Sequence, residues 1–211
     1  MKTTFGVTTV ILFRFLARAA ITMNPPTQWA LIIVDMSVEQ MSAVTYNAQQ
    51  VIQNCKSLAL NERKFFDLCI DCRLWLRSPE ESSLSWVWPE TATTMFVAGS
   101  EGASLIPELR DVSNLKFIPK NNYSCFANSN LLETLREANI NEVYICGINT
   151  DYCVFATAMG SFENKFRTCV ITDAITSNGG RVAHNQGLHN LEKHFSSRVF
   201  ITTEEIMSHD K

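Results

Sequence analysis

The sequence predicts an α/β fold, namely a three-layer α/β/α sandwich around a six-stranded, mostly parallel, Rossmann-like sheet. Short runs of almost entirely apolar residues are typical of strands that are buried on both faces. Stretches with apolar residues at helical spacing lie between these runs. Because the two kinds of segment alternate, crossover helices joining parallel strands are favoured. A chain of 211 residues is most simply one domain with its own core.

The predicted elements follow one another in the order that such a sandwich requires. Residues 29–36, with the sequence WALIIVDM, form the first strand, and apolar residues at helical spacing over residues 44–59 predict the first helix. Further apolar runs bounded by polar residues predict the second and third strands. These strands and the elements that follow are a strand at 64–71, a strand at 114–120, a helix around 131–138, a strand at 142–147, a strand at 167–174, a helix over 184–195 and a strand at 197–203.

The first 28 residues differ in composition from the rest. They contain Lys2, Arg14 and Arg18 but no acidic residue, and Arg14 interrupts their short apolar run, so this run is not predicted to span a membrane. We expect an N-terminal extension or targeting segment at residues 1–28, before a domain at residues 29–211. A mitochondrial presequence, a poor signal peptide and an upstream extension all remain open interpretations.

Charge and cysteine content restrict the partners and the compartment. The net charge of −3 and the lack of a long basic run argue against nucleic acid, and no membrane partner is expected. Seven cysteines are an odd number in a chain that needs no disulfides, which favours a reducing, intracellular compartment, either cytoplasmic or mitochondrial. The glycosylation sequon at Asn122 also argues against export, because a glycan there would lie close to Lys120. Cys69 and Cys72 are interpreted as strand residues, since no second pair completes a zinc site.

Three chemically active residues fall at predicted strand ends. Asp35 ends the first strand, Lys120 follows the third, and Cys153 comes shortly after the fourth. Each alone has an ordinary explanation, as a cap, a solvated lysine or a core cysteine. The carboxyl ends of parallel strands share one edge of the sheet, however, so an acid, a base and a thiol are expected to meet there.

Together these three residues predict cysteine hydrolase chemistry. A helix that begins near Thr150 would place Cys153 in its first turn, where the helix dipole and a nearby ammonium favour the thiolate. A carboxylate can take the thiol proton and return it to a leaving group. Backbone N–H groups at the helix start would hold an oxyanion.

The motifs that carry these residues resemble those of the isochorismatase-like cysteine hydrolases, from about Trp29 to Met207. This family includes nicotinamidases, N-carbamoylsarcosine amidases and ureidoacrylate-type amidohydrolases. The segment ALIIVDM resembles the strand that bears the catalytic acid, here Asp35, and IPKNNYSCF resembles the segment that bears the catalytic lysine, here Lys120. VAGSEGASLIPEL resembles the turn before the third strand, and GINTDYCVFATA resembles the nucleophile motif, here with Cys153.

The resemblance implies further features of the site. It implies a cis peptide bond between Ile148 and Asn149, which aims the N–H of Asn149 at the oxyanion beside that of Cys153. Nicotinamidases hold a metal with an Asp and several His after the second strand. Here Cys72 and Arg73 follow Asp71 and no His occurs before His184, so no metal and no cofactor are expected.

Aromatic residues near the motifs are candidates for the substrate pocket. They are Trp86, Trp88, Phe126 and Tyr152, although packing in the core or a loop is an equal alternative for the tryptophans, and Tyr152 has a subunit neighbour as its alternative. His184 is interpreted as a structural helix residue, and a homo-oligomer is expected.

The sequence thus predicts a metal-independent cysteine hydrolase that acts on a small planar amide, ureide or isochorismate-type substrate. The alternatives are an isochorismatase proper, a nicotinamidase, or a catalytically idle binding module of the same fold.

Overall fold

The computed structural model describes residues 27–61 and 65–208. Within these residues, six strands form a single sheet in which all neighbouring pairs are parallel, in the order β3-β2-β1-β4-β5-β6. The order reverses between β1 and β4, so a crevice opens at the carboxyl ends of these two central strands. The strands are β1 (Trp29–Val34), β2 (Leu68–Leu74), β3 (Leu115–Lys120), β4 (Glu142–Ile148), β5 (Arg167–Thr176) and β6 (Phe200–Ile201).

Helices cover both faces of the sheet, and the three-layer α/β/α prediction is confirmed. On one face, α2 packs Val51 and Leu58 into an apolar cluster with Leu31 of β1. On the other face, Leu135 of α6 and Leu191 of α8 join the cluster that contains Ile32 and Ile145. The helices are α1 (Val38–Ser42), α2 (Ala48–Leu60), α3 (Leu84–Val87), α4 (Pro89–Thr94), α5 (Pro107–Arg110), α6 (Leu131–Glu137), α7 (Phe155–Glu163), α8 (Gly180–Phe195) and α9 (Thr203–Ser208).

Two strands differ from their predicted bounds by more than two residues at one end or both. The second strand runs from Leu68 to Leu74 instead of over residues 64–71, so Asp71 and Arg73 lie inside it. Both side chains are buried, and their ion pair allows two charged residues to lie in the sheet where a strand end was predicted. The last strand has only two residues, because residues 197–199 form a 3₁₀ turn.

A third, smaller apolar cluster belongs to the connection between β2 and β3. It contains Leu74 and Leu76, together with Leu84, Ala92 and Phe96. Residues 76–98, which we call the roof segment, begin and end at one short backbone bridge. Leu76 donates its N–H to the Phe96 carbonyl over 2.7 Å, and Ala98 donates its N–H to the Leu76 carbonyl over 2.8 Å.

The prediction for residues 1–28 lies outside the described residues, apart from the last two positions. None of the helices in the described part of the chain combines the length and the apolar character that a membrane span requires.

Candidate active site

Asp35 follows β1 and is held rigidly by the backbone of β2. Its own backbone is in the left-handed region, with φ of 54°, which is uncommon for a residue other than glycine. The N–H of Asp35 donates to the Cys72 carbonyl over 3.0 Å, and the Leu74 N–H donates to Oδ1 over 2.8 Å. The carboxylate is fully buried, and these bonds leave Oδ2 directed at Lys120.

Lys120, the last residue of β3, brings Asp35 and Cys153 together. Its Nζ atom lies 2.7 Å from Asp35 Oδ2 and 3.5 Å from Cys153 Sγ, and it donates to the Asn122 carbonyl over 2.9 Å. Burial by itself lowers the pKa of this ammonium, but the Asp35 carboxylate and, after it, the neighbouring cysteine side chains act in the opposite direction and raise the pKa above its ordinary value. Lys120 is therefore a permanent cation in the site.

Cys153 lies in a π-helical turn, Thr150–Val154, which leads directly into α7. The Asn149 carbonyl accepts hydrogen bonds from the backbone N–H groups of Tyr152 and Val154, over 3.1 Å and 3.0 Å. The N–H of Cys153, which lies between them in the sequence, does not donate to this carbonyl. Such π-helical turns are rare and occur frequently at functional sites.

Helix α8 packs against this turn. His184 Nδ1 lies 2.9 Å from Thr150 Oγ1, and that hydroxyl donates to the Thr176 carbonyl over 3.0 Å. A Cβ atom at Gly187 would lie 2.7 Å from the backbone of Thr150 and Asp151, so a glycine allows the helix to approach this closely. The interpretation of His184 as a structural residue agrees with these contacts, and burial lowers the pKa of its imidazole.

The surroundings of Cys153 favour the protonated form of its thiol. Burial raises its pKa well above the ordinary value, and the Asp35 carboxylate acts in the same direction and outweighs Lys120. The direction of this pKa shift is opposite to the one expected from the helix start. Asp35, whose carboxylate contacts the same Lys120 ammonium as the thiol, is the carboxylate placed to accept a proton from Sγ.

A protonated thiol predicts a particular pH dependence of alkylation. Only the thiolate reacts with iodoacetamide, so the rate constant at Cys153 should rise about tenfold for each pH unit from pH 7 to pH 9. Peptide mass spectrometry on samples taken over time would measure this rate, with Cys153→Ala as the control for peptide assignment. A rate constant that stays level over this range would show that the thiolate is already present at neutral pH.

Asn149 follows the cis peptide bond that links it to Ile148. Its side chain is fixed on both sides, because Oδ1 accepts the backbone N–H of Asn178 over 2.8 Å and Nδ2 donates to Gln40 Oε1 over 3.4 Å. Asn149 and Cys153 both line one cavity of about 340 Å³, together with Gln40 and Asn178. This volume is suitable for a small substrate.

The four predicted pocket aromatics divide into two groups. Trp88 and Tyr152 line the cavity, whereas Trp86 and Phe126 do not. The Trp86 side chain is 88% exposed at the surface. Phe126 packs against Phe166 and over Gly160, where the absence of a Cβ atom leaves room for its ring.

The position where a metal was considered holds an ion pair. Arg73 Nε lies 3.2 Å and 3.0 Å from the two carboxylate oxygens of Asp71, and Arg73 Nη1 donates to the Ala103 carbonyl over 2.6 Å. The guanidinium also lies over the Phe117 ring, 4.4 Å from its centre. Within residues 27–61 and 65–208, no three His, Cys, Asp or Glu side chains are grouped to hold a metal. Asp71 and Arg73, which are paired with each other, do not fit a metal site.

Several cavity residues were not predicted from the sequence. Gln40 lies in α1, Asn178 follows β5, and Tyr123 lies in the loop after Lys120. In the sequence, these polar residues look like ordinary loop residues, and no regular spacing links them to one another. One signal was available: Gln40 follows β1 and Asn178 follows β5, so both lie at the carboxyl edge of the sheet, where ligands of this fold class bind.

This arrangement is that of an α/β protein with an acid, a lysine and a cysteine assembled at the carboxyl edge of a parallel sheet. The family model of the isochorismatase domain matches residues 29–205, and the chain belongs to the isochorismatase family.

Named relatives are found at lower coverage. Ureidoacrylate amidohydrolase RutB of Stutzerimonas stutzeri is 34% identical over 107 residues, which is 51% of this chain and 43% of that protein. The chain thus spans about half the length, or less, of the curated relatives it matches.

Solved structures share the fold. An isochorismatase-like hydrolase from Alkaliphilus metalliredigens superposes with a TM-score of 0.69 at 20% identity, covering 86% of this chain and 99% of that one. N-carbamoylsarcosine amidase from Thermoplasma acidophilum superposes with a TM-score of 0.67 at 20% identity, covering 85% of this chain and 98% of that one.

Proposed function

We propose that this chain is a metal-independent cysteine hydrolase that cleaves the C–N bond of a small amide or ureide. The observation that carries the proposal is the position of Lys120 Nζ, which lies 2.7 Å from Asp35 Oδ2 and 3.5 Å from Cys153 Sγ. A proton acceptor and a fixed cation are thereby connected to the nucleophile Cys153, which lines a cavity that suits a small molecule.

The proposed reaction begins with transfer of the thiol proton from Cys153 to Asp35. Sγ attacks the substrate carbonyl carbon, and the oxyanion that forms is held by the backbone N–H groups of Asn149 and Cys153. The C–N bond then breaks, and the leaving nitrogen takes the proton from Asp35. An acyl-thioester remains on Cys153. Water attacks this thioester, Asp35 accepts the water proton, and that proton returns to the departing thiolate.

Lys120 keeps the charges of this cycle balanced. Its raised pKa keeps it protonated throughout, so it stabilises Asp35 as a carboxylate before the first proton transfer. It also stabilises any negative charge that develops on the sulfur, 3.5 Å away. The names of two similar proteins, a ureidoacrylate amidohydrolase and an N-carbamoylsarcosine amidase, support C–N cleavage in a carbamoyl compound.

Hydrolysis of a vinyl ether such as isochorismate is the second candidate. The raised pKa of the Cys153 thiol favours it, since this route needs no nucleophilic sulfur and uses a proton that the Asp35 carboxylate has first taken up. Nicotinamide hydrolysis is less favoured, because Arg73 occupies the Asp71 carboxylate. A catalytically idle binding module would turn over none of these compounds.

Turnover should not depend on a bound metal. We expect hydrolysis of at least one of ureidoacrylate, N-carbamoylsarcosine, nicotinamide and isochorismate, at a rate that EDTA or phenanthroline treatment does not change. The measurement is product formation by liquid chromatography, with and without chelator, on protein analysed for metal content. Activity that is lost on chelation and restored by zinc or iron would contradict this proposal, and no turnover of any compound would favour the binding module.

We further propose that the chain functions inside the cell as a homo-oligomer. All seven cysteines lie in the described residues and are free thiols, which is typical of a reducing compartment. Exposed apolar side chains near the cavity mouth, Val87, Trp88 and Tyr152, are suited to contact with a second copy. A monomer in sedimentation analysis would contradict the homo-oligomer. A glycan on Asn122 of the native protein would contradict the location inside the cell.

A further inference from the structure

Gln40 is buried in the wall of the cavity and carries a hydrogen-bond donor that the protein does not use. The residue lies in α1, three positions beyond the Ser37 side chain that caps this helix, and is only 5% exposed. Its Nε2 atom has no hydrogen-bond partner among the described residues. Buried amide N–H groups are nearly always paired, so an unpaired one in a cavity wall indicates a ligand acceptor.

The orientation of the Gln40 amide follows from its neighbours. The backbone N–H of Asn178 can only donate, so the Asn149 atom that faces it over 2.8 Å has to be the oxygen Oδ1. Asn149 Nδ2 is therefore the atom that faces Gln40, over 3.4 Å, and the Gln40 atom that accepts from it has to be Oε1. Two donors on Gln40 Nε2 remain for a ligand.

The charge of the cavity wall restricts this ligand further. Among the described residues that line the cavity, none is Asp, Glu, Lys, Arg or His. The cation behind Cys153, Lys120, is already paired with Asp35. A ligand carboxylate at Gln40 would pay the free-energy cost of leaving water without gaining a counter-charge. A neutral carbonyl oxygen has a smaller cost, which hydrogen bonds from the Gln40 amide offset.

We propose that Gln40 selects a neutral substrate with a second carbonyl oxygen, so that the preferred class is an uncharged carbamoyl amide rather than a ureido acid. This inference rests on the proposed C–N hydrolase function for its turnover readout. Gln40 Nε2 donates to the second carbonyl while the scissile carbonyl lies at Cys153. The residue thereby determines which carbamoyl compound the site accepts.

Three matched compounds test the proposal. N-carbamoylglycinamide has the neutral second carbonyl, N-carbamoylglycine has a carboxylate in its place, and propylurea has no second acceptor. We expect kcat/KM for the glycinamide to exceed that for each of the other two by roughly tenfold, as the loss of one buried hydrogen bond implies. Gln40→Met should reduce this preference to less than about twofold. Gln49→Met, the same change at an exposed position of α2, should leave the preference as it is.

A binding measurement separates this inference from the proposed reaction. Calorimetry on the Cys153→Ala variant needs no turnover, and it should show the glycinamide binding roughly tenfold more tightly than N-carbamoylglycine. Adding Gln40→Met should remove that difference. Hydrolysis with no preference among the three compounds would overturn the role of Gln40 and leave the hydrolase intact. Equal binding, tighter binding of the carboxylate, or no binding of any of the three would also overturn it. If Gln40→Met does not fold, the ligand order measured with the Cys153→Ala variant decides.

Discussion

Replacement of Cys153 by alanine is expected to lower the kcat of amide or ureide hydrolysis by at least about 1,000-fold, with the protein still folded. The reason is that the acyl-thioester forms on Sγ, and no other described thiol lines the cavity. Mass spectrometry of the rapidly quenched wild-type protein should find the acyl group on the peptide that contains Cys153. Cys146→Ala is the matched control, because this buried thiol of β4 lies in the apolar cluster on the sheet face where α2 packs.

The corresponding change at Asp35, compared with the change at Cys153, distinguishes the two candidate reactions. Asp35→Asn should abolish both amide cleavage and vinyl-ether hydrolysis, because each requires the proton that this carboxyl group moves. If isochorismate is the substrate, Cys153→Ala should keep measurable activity while Asp35→Asn loses it. Circular dichroism has to show a folded Asp35→Asn protein, since the change leaves Lys120 buried without its counter-charge. Full activity of this variant on every substrate would contradict both mechanisms.

Gly147→Ala is expected to lower the free energy of unfolding by roughly 4 kcal/mol, the sum of backbone strain and overpacking. Gly147 has φ of +102°, which side chains with a Cβ atom rarely adopt. A Cβ atom here would also lie 2.1 Å from the Val34 carbonyl oxygen and 2.7 Å from the Val34 nitrogen. The neighbouring strand β1 cannot move aside without displacing Asp35.

Gly99→Ala provides the matched control for this stability measurement. Gly99 also has a positive φ, of +84°, but no atom lies within 4 Å of an added Cβ atom. Urea denaturation should therefore show a loss of about 1 kcal/mol, from backbone strain alone. Similar losses for the two variants would show that the contact with Val34 contributes nothing.

The sequence predicted the parts of the fold that depend on burial and alternation. Strand β1 is buried along almost its whole length, so its apolar run was informative, and the same holds for β4. Asp35, Lys120 and Cys153 could be predicted to meet because parallel strands end at one edge. The bounds of β2 could not be predicted, since the pairing of Asp71 with Arg73 became visible only in three dimensions.

The cavity wall was predicted less well for a related reason. Phe126 and Trp88 look equally suitable for the cavity wall in the sequence. In the structure, the Phe126 ring packs over Gly160 and does not line the cavity that contains Cys153. The pKa of the Cys153 thiol was expected to be lowered by the helix start, yet burial next to Asp35 raises it. Both outcomes depend on tertiary contacts that leave no pattern in residue spacing.

The backbone bridge at the base of the roof segment allows the cavity wall to change in evolution independently of the reacting residues. Leu76 is joined to Phe96 and Ala98 by two backbone hydrogen bonds, so residues 77–95 form a closed excursion from the sheet. This excursion supplies Leu84, Trp88, Thr91 and Met95 to the cavity but none of Asp35, Lys120 and Cys153. Insertions, deletions or exchanges within it would reshape the chamber around the substrate while the reacting groups keep their positions. Directed evolution of new substrate preferences would therefore best concentrate its libraries between Leu76 and Phe96.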